Sequence, residues 1–112
     1  MPAAAHAVDD VFRALADSTR RDVVRRLARG PAAVSDLAAP FDMALPSFVR
    51  HLRVLEESGL VTSHKEGRVR TYALDARRLR AAETWLSQQR SLWERRLDQL
   101  EAYVLSLKEN EK

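Results

Sequence analysis

The sequence of 112 residues contains no cysteine, and this absence excludes several kinds of chemistry at once. Disulfides, thiolate metal ligands, cysteine nucleophiles and thiol redox switches are all ruled out. Long hydrophobic runs are also absent, so that no segment reaches the roughly 20 apolar residues that span a bilayer. The first ten residues, MPAAAHAVDD, lack the basic start of a secretory signal peptide. We therefore expect a cytoplasmic chain that does not enter a membrane.

Candidate metal ligands and catalytic groups are scarce as well. The only histidines are His6, His51 and His64, which lie far apart in the sequence. A zinc site needs three or four converging ligands, so His6 with Asp9 and Asp10 would form one only with help from a second chain. No Ser–His–acid spacing or glycine-rich phosphate loop is present. We predict no metal, no cofactor and no enzymatic activity.

Charge is abundant, with a mild basic excess. Charged residues make up 31% of the chain and hydrophobic residues 46%, which is typical of a helix-rich globular domain. The net charge of +3 permits a polyanionic partner but does not identify one. Of the 19 basic residues, only Lys65, Lys108 and Lys112 are lysine. Arginine suits bidentate contacts with phosphate and guanine, although genome composition would explain the preference equally well.

Two helices are predicted in the first 30 residues. Apolar residues between Val8 and Ala16 recur at helical spacing. A second helix begins after a cap at Asp17 or Ser18 and ends at Gly30. We interpret the basic residues on its polar side as a solvated helix face; they are Arg20, Arg21, Arg25, Arg26 and Arg29.

The segment LPSFVRHLRVLEESG, residues 45–59, predicts a third main helix. Gly59 is a natural residue to end it, and a very short helix capped by Ser35 precedes it. Two helices joined so closely cross steeply, as in a helix-turn-helix. The N-terminal half of this helix is cationic, although the positive end of a helix dipole favours acidic residues. A large anion bound beside it would explain the positive charge. Its apolar stripe is Leu45, Phe48, Leu52 and Leu55.

The pattern changes to alternation after residue 60. Two short runs on either side of Gly67 predict a β-hairpin, with Lys65, Arg68 and Arg70 at or near its tip. Helical periodicity returns after Asp75, a suitable cap. Apolar residues at heptad spacing then form a seam that so small a core cannot cover, which favours a symmetric dimer. This apolar seam consists of Leu86, Trp93, Leu97, Leu100, Val104 and Leu107.

The order of these elements predicts a mainly α fold with a small β-hairpin wing, which is the order of a winged helix-turn-helix. We place this domain at residues 8–75 and a long C-terminal dimerisation helix at 76–108. Flexible segments are predicted at 1–7 and 109–112. The fold predicts binding to double-stranded DNA.

Four stretches of the chain resemble the ArsR/SmtB family of bacterial transcriptional repressors: ALADSTRRDVVRRL, VSDLA, HLRVLEESGLV and EGRVRTYAL. The resemblance covers residues 12–74, and the last helix is similar to that of a Trp-rich branch of the family. It implies a homodimer that represses transcription from a palindromic operator, often that of its own gene. The helix at 45–58 would enter the major groove and the wing would contact flanking phosphates. The implied or expected DNA contacts are Ser47, Val49, Arg50, His51, Arg53, Lys65, Arg68 and Arg70.

Two positions depart from the family pattern. Val49 stands where serine is common, which removes a hydrogen bond and permits contact with a thymine methyl. Ala44 stands where a Ser or Thr cap is common, at a cost of about 1 kcal/mol unless DNA phosphate fills the place.

The effectors common in the family are not matched. Its metal-sensing members use a cysteine pair on the short third helix, or His and acid clusters on the last helix. This sequence has no cysteine, and its last helix has no histidine. We interpret Trp85 and Trp93 as core residues, with a ligand pocket as the alternative. Two other functions stay open: a winged-helix protein–protein interaction module, or a repressor with a non-standard metal or small-molecule site.

Overall fold

A computed structural model describes residues 3–111 of the chain. The flexibility predicted for both ends stays a prediction, and Met1, Pro2 and Lys112 lie outside the described residues. The elements in this range, in chain order, are α1 (Ala3–Leu15), α2 (Ser18–Leu27), β1 (Ala32–Ala33), α3 (Val34–Ala38), α4 (Leu45–Glu57), β2 (Val61–Glu66), β3 (Val69–Leu74) and α5 (Ala76–Asn110).

The chain divides into two compact units, Met1–Ala82 and Glu83–Lys112. The first holds the hydrophobic core, which gathers apolar side chains from α1 to α4, from the hairpin and from the start of α5. Burying one large apolar side chain contributes roughly 1.5–3 kcal/mol, so a few such residues dominate the stability of a domain this small. The largest fully buried side chains are Phe48, Leu37, Leu52, Leu55, Leu60, Val11, Val23 and Val61.

The predicted β-hairpin is confirmed, and it belongs to a sheet of three strands in the order β1-β3-β2. β2 and β3 pair antiparallel from Val61 opposite Leu74 to Glu66 opposite Val69. Gly67 provides the positive φ of +61° that the connecting turn requires. The sequence did not predict β1, because two alanines show no strand periodicity. Ala32 nevertheless pairs with Tyr72.

One of the predicted N-terminal caps in the first half of the chain is confirmed and another is not. Asp17 caps α2 by accepting a hydrogen bond from the backbone N–H of Arg20 at 3.0 Å. The prediction of a Ser35 cap is wrong, because α3 begins after Ala33 and has no side-chain cap. The β1 pairing holds the chain extended up to Ala33, and Ser35 therefore falls inside the helix.

The structure also bears out the predicted limits of α4. Ala44 precedes the helix and makes no side-chain hydrogen bond to it. Gly59 follows the helix with a φ of +83°, which is the usual left-handed termination. Asp75, directly before α5, accepts a hydrogen bond from the Arg77 N–H at 3.1 Å, as a cap would.

One of the α2 arginines, Arg20, is partly buried and is not part of a solvated face, so that interpretation is wrong for it, whereas Arg21 is exposed as expected. Arg20 Nε donates to the carbonyl oxygen of Ala14 at 2.6 Å, and Arg21 Nη1 donates to that of Leu15 at 2.9 Å. These carbonyls belong to the last turn of α1, where no intrahelical donor is available. The two guanidinium groups therefore complete the C-terminal end of α1.

The second unit consists of the remaining part of α5. Side chains along this stretch are almost all exposed. Within residues 3–111, the helices include none with the length and apolarity needed to cross a bilayer.

Candidate DNA-binding interface

The outer face of α4 carries exposed cationic side chains. Phe48, Leu52 and Leu55 are fully buried, and this fixes which side of the helix faces the core. Arg50 and Arg53 consequently lie on the exposed side. With no acidic residue in its first turn, this half of α4 is positively charged and can meet a polyanion.

The ends of the predicted apolar stripe differ in exposure. Leu45 has the spacing of the stripe, but its side chain is 54% exposed, unlike those of Phe48, Leu52 and Leu55. Leu45 lies in the first turn of α4, beside the exposed Ser47. The start of α4 therefore presents both an apolar and a hydroxyl side chain to an approaching partner.

The backbone at this helix start supplies few hydrogen-bond donors. Pro46 carries no N–H, and the N–H groups of Ser47 and Phe48 both bond to the carbonyl of Ala44, each at 3.1 Å. The side chains, more than the free N–H groups of the helix terminus, therefore determine how α4 attracts an anion.

The side chain of His51 does not have the outward orientation that was expected for it. Its Nδ1 atom is 3.3 Å from Nη1 of Arg20 and 3.6 Å from Oδ2 of Asp17. The His51 side chain is only 23% exposed. The pKa of the Asp17 carboxyl lies below its usual value, mainly because the backbone N–H of Arg20 donates a hydrogen bond to it. Burial of the carboxyl partly offsets this lowering. A direct contact between His51 and DNA stays a prediction.

The opposite flank of α4 faces the wing across a shallow groove. Arg70 Nη1 donates to the hydroxyl of Ser63 at 2.8 Å, and that hydroxyl donates to Oε1 of Glu56 at 3.1 Å. This chain of hydrogen bonds ties the wing to α4. Burial raises the pKa of the Tyr72 hydroxyl at the floor of the hairpin. The groove is lined by Val49, Arg53, Glu56, Glu57, Arg70 and Tyr72.

The tip of the wing is exposed and basic. Lys65 and Arg68 are exposed on either side of Gly67, and Lys65 lies opposite Arg70 in the hairpin register. His64 Nε2 is 3.5 Å from Oε1 of Glu66 on the same strand. The wing thus places two cations at its end and holds a third, Arg70, nearer to α4.

The second unit presents the predicted apolar seam to the surface. Its six side chains are between 43% and 69% exposed. Exposed apolar side chains in such a continuous row on one helix mark an interaction surface. Their spacing of three, four and seven residues places them on one face of α5.

Metal-binding groups do not converge in the described part of the chain. Among those side chains, no three of the His, Cys, Asp and Glu type lie together as metal ligands would. The side chain of His6 falls outside the described residues, so the alternative based on it remains untested.

The contacts of Asp17, Arg20, Glu56 and Ser63 within this interface were not predicted. The sequence carries a local signal for Asp17 as a helix cap. It carries none for a contact between residues 31 positions apart, such as Arg20 and His51.

Comparisons with known proteins agree with this architecture. Residues 15–64 match the family model described as a helix-turn-helix domain. The HTH-type transcriptional regulator Rv2034 of Mycobacterium tuberculosis is 42% identical over 89 residues, which are 80% of each chain. The transcriptional repressor SdpR of Bacillus subtilis is 29% identical over 79 residues, or 70% of this chain and 88% of SdpR.

Solved structures extend the similarity to the fold. The crystal structure of an ArsR family transcriptional regulator is 55% identical, with a TM-score of 0.76, over 80% of this chain and 92% of that one. The homodimeric winged helix-turn-helix DNA-binding domain Mb0332 from Mycobacterium bovis, solved by NMR, is 27% identical. Its TM-score is 0.61, and the match covers 78% of this chain and 82% of that one. The present chain therefore belongs to the ArsR family of winged helix-turn-helix transcriptional regulators.

Proposed function

We propose that this chain is a homodimeric repressor that binds a palindromic operator, that of its own gene included, in the bacterial cytoplasm. The observation that carries the proposal is the exposed arginine face of α4, held in place by three fully buried side chains and flanked by a basic wing. Similarity to a named repressor and to a homodimeric DNA-binding domain supports it.

Arg50 is the residue that we assign to base recognition. It lies in the N-terminal half of α4, the part that a helix-turn-helix places against base edges. Its planar guanidinium can form a bidentate pair with guanine, worth roughly 1–3 kcal/mol of discrimination. Ser47 and Val49 lie on its two flanks and supply a hydroxyl and a methyl-sized apolar contact.

The remaining basic residues are assigned to phosphates. Arg53 lies one turn further along α4, and Lys65, Arg68 and Arg70 lie on the wing. Contacts with phosphate orient a protein on DNA but do not distinguish one base from another. We therefore expect these residues to supply affinity and register. Such contacts weaken as salt rises, because each one releases counterions from the DNA.

Dimerisation is assigned to the apolar seam of α5. Covering this face with the same face of a second copy removes the exposed apolar area and creates two-fold symmetry. Two α4 helices related by such an axis read two half-sites about 34 Å apart, which is one turn of the double helix. An inverted repeat in the operator follows from that symmetry.

The experiment compares Arg50→Ala with Arg53→Ala. Both variants are titrated against the inverted repeat upstream of the gene and against a scrambled duplex at one salt concentration. Because Arg50 acts twice in a dimer, its loss should lower the ratio of operator to scrambled affinity by roughly one to four powers of ten. Loss of Arg53 should lower both affinities together.

Two results would contradict the proposal. If the ratio were unchanged in Arg50→Ala and collapsed in Arg53→Ala, the rotation of α4 in the groove would be wrong. If the unmodified protein bound no duplex in a salt-dependent way, the winged helix would be better explained as a protein–protein module.

A further inference from the structure

Three helices meet at the side chain of Arg20. Its Nε and Nη2 atoms donate to the carbonyl oxygens of Ala14, at 2.6 Å, and Arg13, at 3.1 Å, in the last turn of α1. The backbone of Arg20 belongs to the first turn of α2, where its N–H is bound by the Asp17 cap. Its remaining terminal nitrogen, Nη1, lies 3.3 Å from Nδ1 of His51 on α4.

The chemistry of this contact determines the state of the imidazole. A guanidinium group has only donors, so the Nδ1 atom of His51 must be the acceptor. This hydrogen bond requires the tautomer of His51 that carries its proton on Nε2. Asp17 cannot replace Arg20 in this state, because its Oδ2 atom is itself an acceptor and lies 3.6 Å from Nδ1.

The contact adds a directional restraint to the middle of α4, in addition to the hydrogen bond between Glu56 and Ser63 near the end of the helix. Phe48, Leu52 and Leu55 hold the helix by apolar burial, which is not directional. The first turn of α4 has no side-chain cap to orient it. A hydrogen bond from Arg20 depends on angle as well as distance, and it therefore opposes rotation of α4 about its own axis.

We infer that His51 is a positioning residue for base recognition. It accepts the Arg20 hydrogen bond, anchors α4 to the junction of α1 and α2, and so sets the rotation at which the neighbouring Arg50 meets the bases. It does not itself read a base. This inference rests on the proposed function and changes the role that the family resemblance implied for His51.

The first test uses the free protein and does not depend on DNA. Nitrogen-15 NMR of the imidazole rings should show the neutral form of His51 with its proton on Nε2 and an unprotonated, hydrogen-bonded Nδ1. A proton on Nδ1 would overturn the inference. If the unmodified protein failed to discriminate operator from scrambled duplex, the proposed function would be wrong. The NMR result would still decide whether His51 accepts the hydrogen bond from Arg20.

The second test is a set of substitutions at His51, titrated against both duplexes. His51→Ala should lower the ratio of operator to scrambled affinity by roughly ten-fold or more, because Arg50 is misplaced in both half-sites. In His51→Asn the Oδ1 atom stands near the place of Nδ1 and accepts from Arg20, so the ratio should largely recover. A general loss of structure would instead lower both affinities, and thermal melting at the same protein concentration identifies that outcome.

The third test separates positioning from direct reading by a double-mutant cycle. Arg20→Lys keeps the positive charge but loses the planar fork that reaches both α1 and His51. In that background His51→Ala should change the ratio little further, since the contact is already broken. If His51→Ala kept its full effect there, or if His51→Asn failed to restore the ratio, His51 would be a base-reading residue and the inference would be overturned.

Discussion

Replacing Gly59 with alanine tests how closely the beginning of α5 packs on the end of α4. Gly59 has a φ of +83°, which side chains other than glycine adopt at a cost. A Cβ atom at this position would lie 2.7 Å from Nε of Arg78 and 2.9 Å from its Cγ. Both distances are shorter than a van der Waals contact, so the Arg78 side chain must move.

The expected loss of stability has two parts. The left-handed backbone costs alanine roughly 1–2 kcal/mol. Because Cγ is close to the Arg78 backbone, the contact can be relieved only by rotating the side chain near its base. An off-rotamer geometry of this kind costs roughly 0.5–1.5 kcal/mol. Gly59→Ala should therefore lower the free energy of unfolding by roughly 1.5–3.5 kcal/mol.

Gly67→Ala is the matched control. Gly67 also has a positive φ, of +61°, but no heavy atom lies within 4 Å of a Cβ built there. It should therefore show the backbone cost alone. Urea unfolding of both variants at one protein concentration measures the difference, and Arg78→Ala combined with Gly59→Ala should remove the steric part. Equal losses in Gly59→Ala and Gly67→Ala would refute the close packing of Arg78.

Three further predictions concern the seam, the wing and the cap of α5. Leu97→Asp with Leu100→Asp should give a monomer or an unfolded chain in sedimentation; a native monomer for the unmodified protein would contradict the seam. Arg68→Ala should weaken binding to every duplex and lower the salt slope by about one, whereas a loss confined to the operator would count against it. Hydrogen bonds from Arg77 lower the pKa of Asp75 to about 2. The stabilisation from Asp75 is therefore full above about pH 4 and lost towards pH 2, so the effect of Asp75→Ala on unfolding should shrink in acid; a pH-independent effect would disprove this.

The sequence alone determined the order and type of the main elements. Helical spacing of Phe48, Leu52 and Leu55 identified the buried side of α4, and glycines at 59 and 67 marked the end of that helix and the turn of the wing. These features depend on interactions within about one helical turn or across one hairpin. Local propensity and hydrophobic period are sufficient for them.

Only the tertiary structure decided which polar side chains are available to a partner. Arg20 and His51 are separated by 31 positions, and they meet because α2 and α4 cross at a particular place in the core. Leu45 belongs to the apolar stripe by its spacing, yet it lies beyond the core and is exposed. β1 forms because β3 offers an edge to Ala32 and Ala33, whose own propensity for a strand is low. Burial and partner choice depend on what lies opposite a residue in space, and sequence periodicity carries no information about that.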